Sequence, residues 1–276
     1  MKNKPIGVFD SGLGGLTVVK ALKEILPNES ILYFGDTARL PYGVKSRDLI
    51  IQYSMQIANF LIKNDAKMII VACNTATAMA LEVLKNNFKD IPIIGVIEPG
   101  SIQASLDSKS KKIGVIGTVA TINSKAYDIA LNLVDKEIQV FSKECPLFVP
   151  FVEEGMVEGE AINLIVEHYL SSFKNNIDTM ILGCTHYPLL KPVIKNFVKN
   201  IKLVDSASAI ATHAKNILIK KSLMSEVVNS NELECFVTDL PRKFEKLGKI
   251  FLGETIKQPH LAVSYTHLTL PTILRV

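Results

Sequence analysis

The chain has 276 residues, of which 48% are hydrophobic and 21% charged, with a formal net charge of +4. This composition is typical of a folded protein with one large or two ordinary domains, and it excludes a disordered chain. An aromatic content of 7% without Trp leaves few stacking platforms for single-stranded nucleic acid. The lysines are spread along the chain instead of forming a basic cluster, so we expect no nucleic-acid partner.

Membrane insertion and metal binding are also not expected. The apolar stretch 68–81 is too short to span a membrane, and residues 5–10 lack the apolar core of a signal peptide. We therefore expect a cytoplasmic protein whose four cysteines stay reduced. None of them forms a CxxC pair, so the sequence predicts no zinc site.

The first part of the chain alternates short apolar runs with segments of helical periodicity. In chain order, this pattern predicts strands at 5–9, 30–34, 67–72 and 91–96, and helices at 16–25, 47–63 and 76–86. Such alternation is typical of parallel strands joined by crossover helices.

A second series of the same kind begins near Lys112. It predicts strands at 113–116, 137–141 and 179–182, and helices at 121–134, 159–173, 190–198 and 207–220. Asp205 and Ser206 form a plausible cap for the last of these helices.

The two series resemble each other. Residues 68–75 and 180–185 are both apolar strands that run into a small residue, Cys and Thr, and Ile6-Gly7-Val8 matches Ile113-Gly114-Val115. We interpret this as a diverged duplication. It predicts an α/β fold of two pseudo-symmetric domains, residues 1–96 and 97–208, that face one another.

The end of the chain has a different character. Residues 260–276 lack the charge and periodicity of the preceding sequence and look like translated cloning sequence or a frameshift scar, so they are excluded from the prediction of fold and function. A genuine apolar C-terminal strand is the alternative.

Two cysteines occupy matching places in the two series. Cys73 and Cys184 each follow the carboxyl end of a predicted buried strand, the edge where open α/β sheets bind ligands. A single free cysteine is commonly just a small core residue, and Cys145 and Cys235 keep that interpretation. The matched pair favours a chemical role for Cys73 and Cys184.

Paired thiols suit one reaction in particular. An ordinary thiol has a pKa of about 8.5, so near working pH one thiol can be a thiolate while the other stays protonated. Two such groups on opposite sides of a carbon can remove a proton from one face and deliver one to the other. A serine pair would be too weakly basic, and an aspartate pair too acidic, for this symmetric exchange.

Other polar residues lie near the predicted strand ends. The glycine-rich segment 10–15 has neither dinucleotide-loop nor P-loop spacing, so we expect it to hold a substrate carboxylate or to form a tight turn. His186 is placed to assist Cys184 or bind a carboxylate, or else it is a capping or core histidine. The segment 39–43 predicts a turn that presents N–H groups and the Tyr42 hydroxyl. The carboxylates of Asp10 and Glu153 are either part of a site or ordinary solvated groups.

Taken together, these segments resemble the glutamate racemase family, within the wider aspartate/glutamate racemase superfamily. The resemblance extends from the start of the chain to about Glu254 and is carried by residues 8–15, 35–43, 72–76, 146–155 and 182–189. It implies two Rossmann-like domains with mostly parallel sheets and an active site in the cleft between them. It also implies that the first domain is discontinuous and regains the chain at about 209–259.

The resemblance further implies roles for individual residues. Cys184 would act on L-glutamate and Cys73 on D-glutamate, with Asp10, His186 and Glu153 assisting the thiols and with no metal or other cofactor. The implied substrate contacts are Asp10, Ser11, Pro41, Tyr42, Gly43, Asn74, Thr75, Thr185 and His186. The product, D-glutamate, would feed peptidoglycan synthesis. The expected partner is the small-molecule substrate, and a homodimer is left open.

Two alternatives remain at this stage. Within the superfamily, the chain could be an aspartate or hydantoin racemase, which assays on several amino acids would separate. From another class, it could be a non-catalytic ligand-binding protein with two α/β lobes. Such a protein needs no matched thiols, so ligand binding that survives alkylation would support it.

Overall fold

Parallel strands and crossover helices alternate along the chain in the computed structural model, which describes residues 2–227, 231–239 and 241–262. The strands are β1 (Ile6–Asp10), β2 (Ile31–Gly35), β3 (Met68–Val71), β4 (Ile93–Gly95), β5 (Lys112–Gly117), β6 (Gln139–Glu144), β7 (Thr179–Gly183), β8 (Lys202–Asp205), β9 (Leu233–Val237) and β10 (His260–Leu261). The helices are α1 (Leu16–Ile25), α2 (Arg47–Lys63), α3 (Asn74–Asn87), α4 (Ile97–Asp107), α5 (Val119–Asn123), α6 (Ala126–Val134), α7 (Phe148–Glu153), α8 (Glu160–Leu170), α9 (Lys191–Val198), α10 (Ser206–Lys220) and α11 (Pro241–Leu252).

The strands form two sheets. One has the order β10-β9-β2-β1-β3-β4 and the other β6-β5-β7-β8, and every strand pair is parallel. The predicted α/β class with mostly parallel sheets is therefore confirmed. Within the described residues, no helix is long and apolar enough to span a membrane.

Both faces of each sheet are covered by helices, as the near-continuous burial of the central strands β1, β3, β5 and β7 requires. In the first sheet, Ile6 and Val8 of β1 pack toward α1, while Phe9 packs with α2 and α3 on the opposite face. In the second sheet, Val115 packs with α4 and α6, and Leu182 packs with α8 and α9. Helix α10 contacts both α1 and α4, so it joins the two sheets.

The internal duplication holds at the level of strand register. Val8 pairs with Ile70 across β1 and β3, and Val115 pairs with Ile181 across β5 and β7. Cys73 lies three residues after Ile70, and Cys184 lies three residues after Ile181, so the two cysteines follow equivalent positions of β3 and β7. The first sheet consequently takes strands from residues 6–95 and again from 233–261, and the second sheet takes them from 112–205.

Several element bounds differ from the sequence prediction. The helix predicted at 121–134 is two helices, because Lys125 adopts a left-handed φ of 56° that interrupts the helical hydrogen bonds. Helix α4 was not predicted from the pattern, which contains Pro99 and Gly100. The proline is tolerated because it lies in the first turn, where its missing N–H has no partner to lose.

The chain terminus also needs correction. The sequence predicts a foreign tail from residue 260, yet His260 and Leu261 form β10 and pair with Phe236 and Val237 of β9. These two residues belong to the first sheet. Residues 263–276 lie outside the described part of the chain.

Asp178 anchors the start of β7 to the loop between α4 and β5. Its carboxylate accepts hydrogen bonds from Ser108 Oγ at 2.6 Å and from the N–H groups of Lys109 and Ser110, both at 2.7 Å. Partial burial opposes ionisation, but these donors outweigh it and lower the pKa of Asp178 to about 2.

We expect Asp178→Asn to lower the free energy of unfolding at neutral pH by about 1 kcal/mol, because an amide offers one acceptor oxygen and no charge. The folded-state pKa is depressed, so the wild-type advantage exists above the ordinary value near 3.8 and is lost as pH falls toward about 2. Urea unfolding of both proteins from pH 7 to pH 2 should therefore give curves that converge in acid. The exposed carboxylate variant Asp90→Asn is the control; an equal loss there would contradict the role of Asp178.

Candidate active site

The carboxyl ends of the central strands of both sheets meet at a cavity of about 360 Å³. Cys73 and Cys184 are both on its wall. The other predicted site residues on this wall are Ser11, Pro41, Tyr42, Gly43, Asn74, Thr75, Glu153, Thr185 and His186. Residues separated by more than one hundred positions in the sequence thus line one cavity.

Cys73 lies between β3 and α3, where it caps the helix. Its Sγ accepts the N–H of Ala76 at 3.5 Å and lies 3.9 Å from the Ser11 hydroxyl. Burial raises the pKa of Cys73 to about 12, and negative charge on Asp10 and Cys184 adds to the shift, against the hydrogen bonds with Ala76 and Ser11. Cys73 is therefore a neutral thiol near neutral pH, the protonation state required of the acid in a proton transfer.

Cys184 has a different environment, because a histidine lies beside it. Its Sγ is 3.9 Å from His186 Nδ1, and His186 Nε2 is 3.2 Å from Glu153 Oε1. Burial alone would lower the pKa of His186, but the hydrogen bonds with Cys184 and Glu153 raise it to about 10. An imidazolium at this position stabilises negative charge that develops on the Cys184 sulfur.

Asp10 is fully buried and is not on the cavity wall. Its Oδ2 accepts the N–H of Gly12 at 3.0 Å, and its Oδ1 accepts the Thr185 hydroxyl at 3.4 Å. Burial raises the pKa of Asp10, opposed by the positive charge of His186 and by these hydrogen bonds. The position supports an assisting role beneath the thiols more than direct contact with a substrate.

The glycine-rich segment brings the two sheets together. A Cβ on Gly14 would overlap Thr185 Oγ1 and would lie 2.6 Å from His186 Nδ1. Only glycine leaves room for these two side chains of the other sheet. The sequence left open whether segment 10–15 holds a substrate carboxylate or forms a tight turn. The structure favours the tight turn, because the space beside Gly14 is filled by side chains of the protein itself.

The turn at 39–43 is present, but its tyrosine differs from the expectation. Leu40 and Pro41 join two 3₁₀ turns, and the Tyr42 hydroxyl donates to Asp36 instead of facing the cavity. Asp36 also receives hydrogen bonds from Arg39 Nε at 2.9 Å and Thr238 Oγ1 at 3.0 Å. The hydroxyl of Tyr42 is thus committed to the fold, so this residue can offer a substrate only its backbone and ring.

Thr118 is a wall residue that sequence reasoning missed. Its hydroxyl lies 2.9 Å from that of Thr75, and the hydroxyl of Thr121 lies within 3.1 Å of both. The internal repeat contained a usable signal, because aligning Ile6-Gly7-Val8 with Ile113-Gly114-Val115 sets Ser11 opposite Thr118. Of these three, Thr75 and Thr118 line the cavity, so their hydroxyls can donate to a carboxylate there.

Comparison with known proteins identifies the family. Residues 6–214 match the family described as Asp/Glu/Hydantoin racemase. The chain belongs to this family. It is 50% identical over 252 residues to a glutamate racemase of Aquifex aeolicus (strain VF5), which covers 91% of this chain and 95% of that protein. The predicted family resemblance is thereby confirmed.

Solved structures of racemases have the same fold. A glutamate racemase from Francisella tularensis in complex with D-glutamate superposes with a TM-score of 0.89 at 42% identity, covering 95% of this chain and 98% of that one. The isoform RacE1 from Bacillus anthracis gives a TM-score of 0.91 at 38% identity, with 95% and 99% coverage. No group of three or more His, Cys, Asp or Glu that could hold a metal ion occurs among the residues described here.

Proposed function

We propose that the chain is a cofactor-independent glutamate racemase in which Cys73 and Cys184 exchange protons with opposite faces of the substrate α-carbon. The observation that carries this proposal is the pair of buried thiols at matching strand ends on one cavity. A two-lobed binding protein has no use for such a pair, whereas a racemase needs one acid and one base.

Glutamate is the substrate that the comparisons favour over aspartate or a hydantoin. The relative from Aquifex aeolicus is a glutamate racemase that matches over nearly its full length, and the Francisella tularensis enzyme binds D-glutamate. The cavity also offers the donors that a dicarboxylate requires, from the Asn74 amide and the hydroxyls of Thr75 and Thr118.

The two thiols have different surroundings. Cys73 carries a proton, while Cys184 lies beside the imidazolium of His186. In the proposed reaction, Cys184 acts as a thiolate paired with that imidazolium and removes the α-proton of L-glutamate, and Cys73 delivers its own proton to the opposite face to give D-glutamate. The reverse reaction begins from the opposite protonation state, with Cys73 as the base.

Removal of the α-proton creates a carbanion next to a carboxylate, so the developing negative charge needs fixed donors. The cavity wall supplies hydroxyls and the Asn74 amide, and the two thiols are buried, which strengthens electrostatic interactions at the reacting atoms. Glu153 holds the His186 imidazolium in place, and Asp10 holds the Thr185 hydroxyl; neither carboxylate takes part in the proton transfer itself.

The setting of the reaction follows from its chemistry. We propose that the enzyme works in the cytoplasm, because paired thiols that exchange protons must stay reduced, and that its D-glutamate enters peptidoglycan synthesis. All four cysteines of the described chain are free. A homodimer stays a prediction that solution measurements of mass can test.

We expect purified protein, dialysed against a chelator and without added pyridoxal phosphate, to bring the circular dichroism of L-glutamate or D-glutamate to zero. The physical reason is that the thiol pair itself supplies both acid and base. L-Aspartate and a hydantoin are the comparison substrates, and protein alkylated at its thiols is the blank. Activity that disappears on dialysis and returns with zinc or pyridoxal phosphate would contradict the mechanism, and faster turnover of aspartate would contradict the substrate.

A further inference from the structure

Tyr127 connects the two halves of the active site. It lies near the start of α6, is 2% exposed, and its hydroxyl donates to Asn74 Oδ1 at 2.7 Å. The same hydroxyl lies 3.2 Å from Ser206 Oγ at the start of α10. The bond to Asn74 crosses from the helices of the second sheet to the residue that follows Cys73 in the first.

This hydrogen bond fixes the orientation of the Asn74 amide. Because the phenol O–H occupies Oδ1, the Nδ2 group is left as the free end of the side chain. Asn74 is 3% exposed and lies on the cavity wall, and its Nδ2 has no hydrogen-bond partner among the described residues. A buried donor without a partner is costly, and a carboxylate in the cavity would satisfy it.

The ring of Tyr127 also contacts the strand that carries the second thiol. A Cβ on Gly183, the residue before Cys184, would lie 3.0 Å from Tyr127 Cε2. The glycine thus lets the ring pack directly against the end of β7. Burial raises the pKa of Tyr127, so its hydroxyl remains a donor across the working pH range.

We propose that Tyr127 is a positioning residue that holds the Asn74 amide with its Nδ2 donor directed at a substrate carboxylate, while its ring supports the strand end before Cys184. The proposal rests on the proposed glutamate racemase function for the identity of the carboxylate. It assigns no proton transfer to Tyr127, because the phenol acts only through Asn74.

The first measurement is independent of substrate identity. In protein labelled with ¹⁵N asparagine, the side-chain amide signals of Asn74 are assigned by their loss in Asn74→Ala. We expect Tyr127→Phe to shift or broaden these signals, because the acceptor oxygen loses its donor. Ser206→Ala keeps the bond between Tyr127 and Asn74, so its signals should stay close to those of the wild type. Unchanged Asn74 signals in Tyr127→Phe would overturn the proposal even if the chain acts on another amino acid.

The second measurement is a double-mutant cycle on glutamate racemisation. We expect Tyr127→Phe to raise KM by about five- to tenfold and Asn74→Ala by roughly tenfold or more, as for a hydrogen bond to a charged group. The double variant should be no worse than Asn74→Ala alone, since the hydroxyl acts through that amide. A role confined to packing would instead give effects that multiply.

Tyr169→Phe is the matched control, because among the described residues its hydroxyl accepts a hydrogen bond from the Leu147 N–H alone, away from the cavity. This variant should keep the wild-type KM. An equal rise in KM in Tyr169→Phe, multiplicative effects in the cycle, or a Tyr127→Phe chain that fails to fold while Ser206→Ala folds would each overturn the positioning role. A wild-type protein that does not racemise glutamate would refute the proposed function, while the amide signals would still decide the role of Tyr127.

Discussion

Cys73→Ser and Cys184→Ser are each expected to slow glutamate racemisation by about 10³-fold or more, because a serine hydroxyl is a far poorer base than a thiolate at neutral pH. The two enantiomers have equal free energies, so each variant must lose kcat/KM equally in both directions. The double variant should not show the product of the two losses, since the thiols work as a unit. Circular dichroism time courses from both enantiomers measure these rates.

An isotope experiment tests whether each face has its own base. In heavy water, product formed early from either enantiomer should carry deuterium at Cα, while unreacted substrate should carry almost none. The delivered proton comes from the second sulfur, which has exchanged with solvent. A single base that swings across the substrate would often return the original proton or wash deuterium into the starting enantiomer.

The other two cysteines provide matched controls. Cys145 and Cys235 are buried and do not line the cavity, so Cys145→Ala and Cys235→Ala should keep the wild-type turnover. Rapid deuterium wash-in to the starting enantiomer, or full activity in either single serine variant at Cys73 or Cys184, would rule out the mechanism with two thiols.

Asp10→Asn and His186→Asn should each lower kcat by about 10²-fold or more, the size of effect that follows loss of general acid–base assistance. His186 lies next to Cys184, and the negative charge of Asp10 raises the pKa of both His186 and Cys73. Circular dichroism spectra and unfolding curves should show an intact fold. His213→Asn, outside the cavity, is the control, and near-normal kinetics for both site variants would refute their roles.

The pH dependence provides a second readout for His186. Its pKa is raised to about 10, so the imidazolium persists below that pH and is lost as pH rises through it. If the cation assists Cys184, wild-type kcat/KM should fall on the alkaline side near pH 10. The His186→Asn variant should lack this alkaline decline, because its amide does not titrate. A decline that is the same in both proteins would assign it to another group.

Much of the fold could be predicted from local sequence. The apolar runs at 67–72 and 179–182 are strands whose side chains are buried on both faces of a parallel sheet. Such runs can be recognised in the sequence without knowledge of any long-range contact. Helix α2 was predicted at 47–63 and has those bounds, since its N-cap, Ser46, and its periodicity are local signals. The break between α5 and α6 at Lys125 could not be predicted from the sequence, because a positive φ on a lysine has no clear sequence signature.

Some features of the candidate site could likewise be predicted from the sequence, whereas others depend on the tertiary structure. The sequence alone determined that Cys73 and Cys184 end equivalent strands, because the duplicated pattern and the strand period set both positions. Only the tertiary structure decided that Asp10 lies beneath the wall, that Tyr42 donates to Asp36, and that Tyr127 holds Asn74. These contacts depend on which side chains meet when two sheets pack together. Hydrophobic periodicity specifies which face of an element is buried, but the hydrogen-bond partner of a polar group is chosen by distance across the folded chain.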